Sequence, residues 1–480
     1  MPINRLIFIV IIVAYLGLGG LYATLTPAWQ APDEPAHYNY VHYVAVNRTF
    51  PELTANCYDQ EYLTQLVAHR FHPEFPLADV CYENHQPPLY YALAAPIFRL
   101  TGGALLPIRL LSVVMGAGVV ILTFFIGRTV FPDRPSLALG AMAFVAFVPM
   151  HLTMLAAANN DALAELLLAA ILLVLAHRLT ATVPPSPRGA VITGGLLGLA
   201  LITKVTAYIA VPLTLLALWW ANRTDRAQLI RQAALIFGVA ALIVLPWYAR
   251  NLTLYGGLDV LGLARHDEVV VGQLRTTAYL AEVGASGYVR NFVTTTFHSF
   301  WGQFGWMAVP MDGRTYLFLG LLSLTALGGL LARLWPRRRQ CPAPAVALLI
   351  VTLALTVAGY GWYNLTFVQF QGRYLFPALI PLGLFFSMGL GAALSVRWRW
   401  QLTGWLTIAL AWVVIAGLWG DALDKWAVLT LGLIWAAALA RAGLGLKKIS
   451  ADWLLTACYL ALAGLAAASP FWFIIPNLTP

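Results

Sequence analysis

Residues Ala31 to Tyr40 read APDEPAHYNY, directly after an apolar run from Leu6 to Leu25 that is long enough to cross a bilayer. Two adjacent carboxylates, Asp33 and Glu34, stand between Pro32 and Pro35. Proline fixes its own φ and restricts the residue before it, so the turn is stiff and holds the acids at a set height just outside the first span. Acids this close to hydrocarbon usually face protein or a watery cavity. The stretch therefore reads as an all-α membrane chain carrying a general base at its surface, on Asp33 or its neighbour Glu34, against the blander reading of a solvated acid pair.

Composition agrees. Of 480 residues, 60% are hydrophobic and 10% charged, where soluble domains carry about 25% charged. The run 6–25 is too long for the core of a secretory signal and is read as a retained helix. Further candidate spans cover 105–131, 136–157, 161–178, 189–203, 205–221, 232–248, 314–333, 343–363, 374–396, 401–420, 424–441 and 453–474, which makes thirteen with the first. They form a single transmembrane domain, 1–480, with a first outer loop at 27–104 and a second large one at 250–313. Within the first loop, PPLYYALAAPIFRLTGG (87–103) has a short apolar run broken by Pro96 and Arg99, which suits a helix lying in the interface.

Residues 189–220 decide the topology, because as one helix they would measure about 48 Å, with Lys204 at the middle. Broken at Thr203 and Lys204 into two helices, they place 17 of the 29 Lys and Arg residues on short cytoplasmic flanks, including Arg337–Arg339, Lys447 and Lys448. Of the 20 acids only Asp133, Asp225 and Asp452 share that side. The N-terminus is then cytoplasmic, the C-terminus outside, and the chemistry outside. The net charge of +9 reports membrane orientation and gives no support for nucleic-acid binding.

The polar groups of the outer side are each open to two readings. Glu83 to Tyr91, ENHQPPLYY, offers His85, Tyr90 and Tyr91 for a sugar or acceptor, although the tyrosines also fit an aromatic belt. Glu83 and His85, with His37, are candidate ligands for a divalent metal, without the helical ligand spacing that would support one. Asn160 and Asp161 either cap a helix or face the same cavity as Asp33, together with Glu165. Lys204 and Arg373 either snorkel or hold a phosphate. Trp301, Phe304 and Trp306, in HSFWGQFGWM, either line a groove for an acyl or isoprenoid chain or anchor the interface. Cys57 and Cys81 share one polar loop, where a disulfide is an open possibility; Cys341 and Cys458 lie in or beside apolar segments.

No Walker A loop, GxGxxG or DxD motif occurs, and the cytoplasmic loops are too short to hold a nucleotide. An activated group must then come from the membrane, and a polyprenyl-phosphate-linked sugar is the usual one.

In order along the chain, the acid pair after the first span, PPLYY, Asn159-Asn160-Asp161 and the late pair Arg373-Tyr374 resemble the GT-C superfamily. Within it the pattern is similar to the protein O-mannosyltransferase and lipid A aminoarabinose transferase-like branch. The resemblance implies a bundle of about a dozen helices in a plasma membrane and transfer of a hexose or pentose from a polyprenyl-phosphate sugar to a lipid, glycan or protein acceptor. It implies Asp33 as base with Glu34 in support; read from their own chemistry, Arg373 and Lys204 are expected on the donor phosphate, and His37, Asn160, Asp161 and Tyr374 around sugar or acceptor. The sizeable soluble C-terminal domain of some relatives is not expected here. The rivals are a transporter or flippase for lipid-linked sugars, which predicts charges spread through the midplane and two similar halves, and a relative that binds polyprenyl lipids without chemistry.

Overall fold

The computed structural model describes residues 3–181, 186–334, 343–419, 423–444 and 450–479. The arginines at 337–339, Lys447, Lys448 and Cys341 lie outside them.

The chain is a helical bundle, as lipid requires of a backbone that must satisfy its own hydrogen bonds. Helix α1 (Ile3–Leu25) leads to three short helices, α2 (Glu34–Asn47), α3 (Gln60–Ala68) and α4 (Leu89–Leu100). Then come α5 (Leu105–Val130), α6 (Pro135–Phe147), α7 (Pro149–Leu155), α8 (Asp161–Thr180), α9 (Pro187–Leu201), α10 (Ala210–Asn222) and α11 (Arg226–Tyr255). Two more helices, α12 (Leu263–Val269) and α13 (Thr276–Trp301), precede a two-stranded hairpin, Gln303–Phe304 with Val309–Pro310. The C-terminal part holds α14 (Gly313–Leu334), α15 (Pro344–Thr366), α16 (Leu379–Ala393), α17 (Arg399–Trp419), α18 (Lys425–Gly443), α19 (Ala451–Ser469) and α20 (Ile475–Leu478).

Several starts are set by side chains that satisfy free backbone donors: Ser186 before α9, Asp225 before α11, Asp424 before α18 and Ser450 before α19. Pro149, which lacks a backbone donor, bends α6 from α7 by 66°.

Among the described residues, eleven helices are long and apolar enough to cross a membrane, or up to twelve if the bent α6–α7 pair counts as one span. The region expected as a span at 189–203 forms α9, a helix of 15 residues, shorter than those eleven but apolar. The break at Thr203 and Lys204 is present, and the chain reverses there. A side chain at Gly194 would strike α11 at Ile236, and one at Gly198 would strike it near Ala240 and Ile243, so α9 and α11 pack directly and run parallel, and α10 returns in the opposite direction. Such small residues let membrane helices approach backbone to backbone. Gly329 of α14 and Gly389 of α16 do the same.

One face collects the functional elements. Residues 27–104, the end of α9, the end of α11 and the starts of α5, α8 and α16 all meet there, tied by bonds from Arg250 to Phe50 and Pro51 and from Arg109 to Glu34. We call it the loop face. Cys57 and Cys81 are disulfide-bonded within it.

Candidate active site

Glu34 begins α2 and is wholly buried. Its carboxylate accepts two bonds from Arg109, at 2.8 and 2.6 Å, and one each from the backbone N–H of Trp29 and Ala158, both at 3.0 Å. Arg109 also donates to the carbonyls of Ala23, Thr26 and Pro27. All the acceptor capacity of Glu34 is thus spent on joining the end of α1, the start of α5 and the turn before α8. This corrects the expectation of a second catalytic acid: Glu34 is the keystone of the turn, and a carboxylate so occupied has nothing left for a substrate.

Asp33, one residue earlier, has the left-handed φ of 66°, a conformation that costs most residues energy but which Asp tolerates. A quarter of its side chain stays accessible. Its Oδ1 accepts from the Tyr82 hydroxyl at 2.9 Å and its Oδ2 from Arg373 Nη2 at 2.7 Å. Burial disfavours the charged carboxylate, but the Arg373 guanidinium, helped by His37 and the Tyr82 hydroxyl, outweighs it and holds the group at about 2.

A second ion pair, Lys204 Nζ to Asp161 Oδ1 at 2.7 Å, joins the α9–α10 turn to the start of α8. His37 bonds the Tyr91 hydroxyl through Nδ1 at 2.8 Å, and burial lowers the imidazole below its ordinary value against the pull of Glu83, which favours the neutral ring. Tyr91 stacks on Tyr40 at 3.6 Å. Asn160 donates toward Gln86, Tyr91 and Thr203, while its Oδ1 is buried without a partner, as is Oε2 of Glu83. Both oxygens are buried acceptors, of the kind that folded proteins normally hydrogen-bond. Arg373 also bonds Gln371 and lies 5.4 Å from the centre of the Tyr374 ring.

Asp33, His37, Tyr91, Asn160, Asp161, Lys204, Arg373 and Tyr374 are thus brought to one face, with linked partners. Others go elsewhere. Tyr90 is buried against Ser112 at 3.0 Å. His85 turns away from Glu83: its Nδ1 meets the Tyr82 carbonyl, its ring lies 4.6 Å from His266, and burial with that second imidazole drives it down to about 3. The metal set of Glu83, His85 and His37 is therefore not assembled; among the described residues no three His, Cys, Asp or Glu side chains converge as metal ligands. Glu165 faces His151 at 2.8 Å inside the bundle instead of Asp33. Trp301 and Phe304 are also corrected. Both are almost fully buried, Trp301 against Phe144 and Phe386 and Phe304 against Phe473, so they are packing anchors and cannot wall an open groove. Trp306 is half-buried and donates to the Trp29 carbonyl.

Sequence reasoning missed Arg109 and Tyr82. An arginine inside the apolar run 105–131 was a usable signal, since such a charge must find a partner. Tyr82 carried none.

With this geometry in view, the chain is seen to share its fold with solved membrane proteins, ArnT and an archaeal oligosaccharyltransferase. Residues 85–249 match the family described as dolichyl-phosphate-mannose-protein mannosyltransferase. The chain is similar to ArnT from Cupriavidus metallidurans bound to undecaprenyl phosphate, with TM-score 0.53 and 14% identity over 97% of this chain and 77% of that one. The apo state of the same protein gives TM-score 0.56 at 14% identity, with the same coverage. The Archaeoglobus fulgidus oligosaccharyltransferase tethered to an acceptor peptide gives 0.51 at 14% identity, over 96% of this chain and 55% of that one. No curated protein matches the sequence.

Proposed function

We propose that this chain is a glycosyltransferase that moves a sugar from a polyprenyl-phosphate donor to an acceptor hydroxyl, with the loop face extracytoplasmic, the N-terminus cytoplasmic and the protein in a plasma membrane. The observation that carries the reading is the gathering of two acid–cation pairs, Asp33–Arg373 and Asp161–Lys204, on one face beside the unpartnered Glu83 oxygen.

In the reaction the acceptor oxygen attacks the anomeric carbon and forms the new C–O bond. The bond from that carbon to the phosphate oxygen breaks, and its electrons leave with the polyprenyl phosphate. Arg373 and Lys204 take up the second negative charge that develops on the departing phosphate. The acceptor proton passes to Asp33. At about 2, Asp33 is ionised but a weak base while Arg373 holds it. A donor phosphate that draws the guanidinium away strengthens the base when the sugar is in place. His37, Tyr91, Asn160, Glu83 and Tyr374 surround the sugar or acceptor, and Trp306 remains the candidate for contact with the isoprenoid chain. The acceptor is a lipid, glycan or protein and the sugar a hexose or pentose.

The test uses purified protein in detergent with a panel of radiolabelled polyprenyl-phosphate sugars, read as release of polyprenyl phosphate. Asp33→Asn is expected to lower turnover by about 10²–10⁴-fold with donor binding retained. Undiminished turnover in that variant would sink the assignment.

A further inference from the structure

On the face away from the loops, four helix ends surround a cleft of ≈ 930 Å³. Arg134 reaches it from the α5–α6 turn, Arg333 from the last turn of α14, Arg397 from the turn after α16, and Asp452 from the first turn of α19. Three arginines and one aspartate thus line the cleft. Arg134 and Arg397 make no ion pair among the described residues. The Ser395 hydroxyl lies on the same wall, and Leu331 and Leu455 make it partly apolar. Leu331 is exposed, as are Val396 and Trp400 on either side of Arg397 in the sequence.

A preference for cations on one side of a membrane explains why arginines occur here. It does not explain why those of three separate helix ends converge on one void. Guanidinium groups match phosphate oxygens in pairs, and basic pockets between membrane helices suit anionic lipid heads. The adjoining exposed apolar side chains would contact a chain that free phosphate lacks. We propose that this cleft binds the phosphate headgroup of an anionic membrane lipid, whose chains lie along the exposed flank of α14. The cleft shares no residue with the candidate site at the loop face.

The experiment places the full chain in nanodiscs of phosphatidylcholine alone, or with about one-fifth phosphatidylglycerol, and counts retained lipid by native mass spectrometry after extraction. Wild type is expected to retain phosphatidylglycerol selectively, and Arg134→Gln/Arg397→Gln to bind it about 30-fold more weakly. Arg397→Lys, which keeps the charge, is expected to retain most of the binding, and its unfolding temperature shows whether the fold survives a change at this position. Equal affinity in the double variant, equal retention of phosphatidylcholine, or full displacement by millimolar inorganic phosphate would overturn the proposal.

Discussion

The two faces of this bundle treat their charges in opposite ways. At the loop face Arg109, Lys204 and Arg373 are largely buried, and each meets a carboxylate: Glu34, Asp161 and Asp33. At the other face Arg134 and Arg397 are exposed and have no ionic partner among the described residues. The difference follows from solvent. An exposed guanidinium is stabilised by water, whereas a buried one must be neutralised by protein, and removing its partner leaves an uncompensated charge. A buried pair at a pocket is thus a commitment of two elements to one geometry, and a solvated arginine commits nothing until a ligand arrives.

That contrast is sharpened most by breaking the keystone. Glu34→Gln leaves Arg109 buried without its counter-charge and is expected to destabilise the fold by about 3–5 kcal/mol, seen as a drop in unfolding temperature in detergent. An unaltered unfolding temperature would contradict the structural role given to Glu34. A smaller effect is expected at the second pair. Lys204→Met should lower kcat/KM for the donor by about 10- to 100-fold, the worth of one hydrogen bond to a charged group, with kcat reduced because the lysine takes up charge that develops on the leaving phosphate; an unchanged kcat/KM would remove Lys204 from the phosphate. The mildest test is acid. Asp33 is held at about 2, below an ordinary carboxylate, so its stabilisation is complete above about pH 4 and is lost as pH falls toward 2. Unfolding temperature should fall across that window in the wild type, and less in Asp33→Asn.

The apolar runs made the membrane bundle legible, because hydrocarbon imposes a length and a composition on every span. The turn at Lys204 was legible too, through the distribution of arginines. The length of each helix was less legible, because a short apolar run such as 189–203 reads alike whether its helix has 15 residues or the roughly 20 of a span. Within the site, Asp33, Asp161, Lys204 and Arg373 stood out as charges beside apolar segments. The division of labour between Asp33 and Glu34 was invisible: adjacent acids look equivalent until Arg109, 75 residues away, claims one of them. Burial likewise separated Trp301 and Phe304 from Trp306, although the three lie within six residues in sequence.

Gly372 adds a last consequence. A side chain there would collide with the main chain of α13 at Thr296 and Phe300, and its N–H bonds Ser299 Oγ at 2.7 Å. The backbone that carries Arg373 is therefore clamped, and only the χ angles of the arginine are free to turn. In the proposed reaction the exchange of the guanidinium between Asp33 and phosphate becomes a change of side-chain rotamer, with no helix required to move.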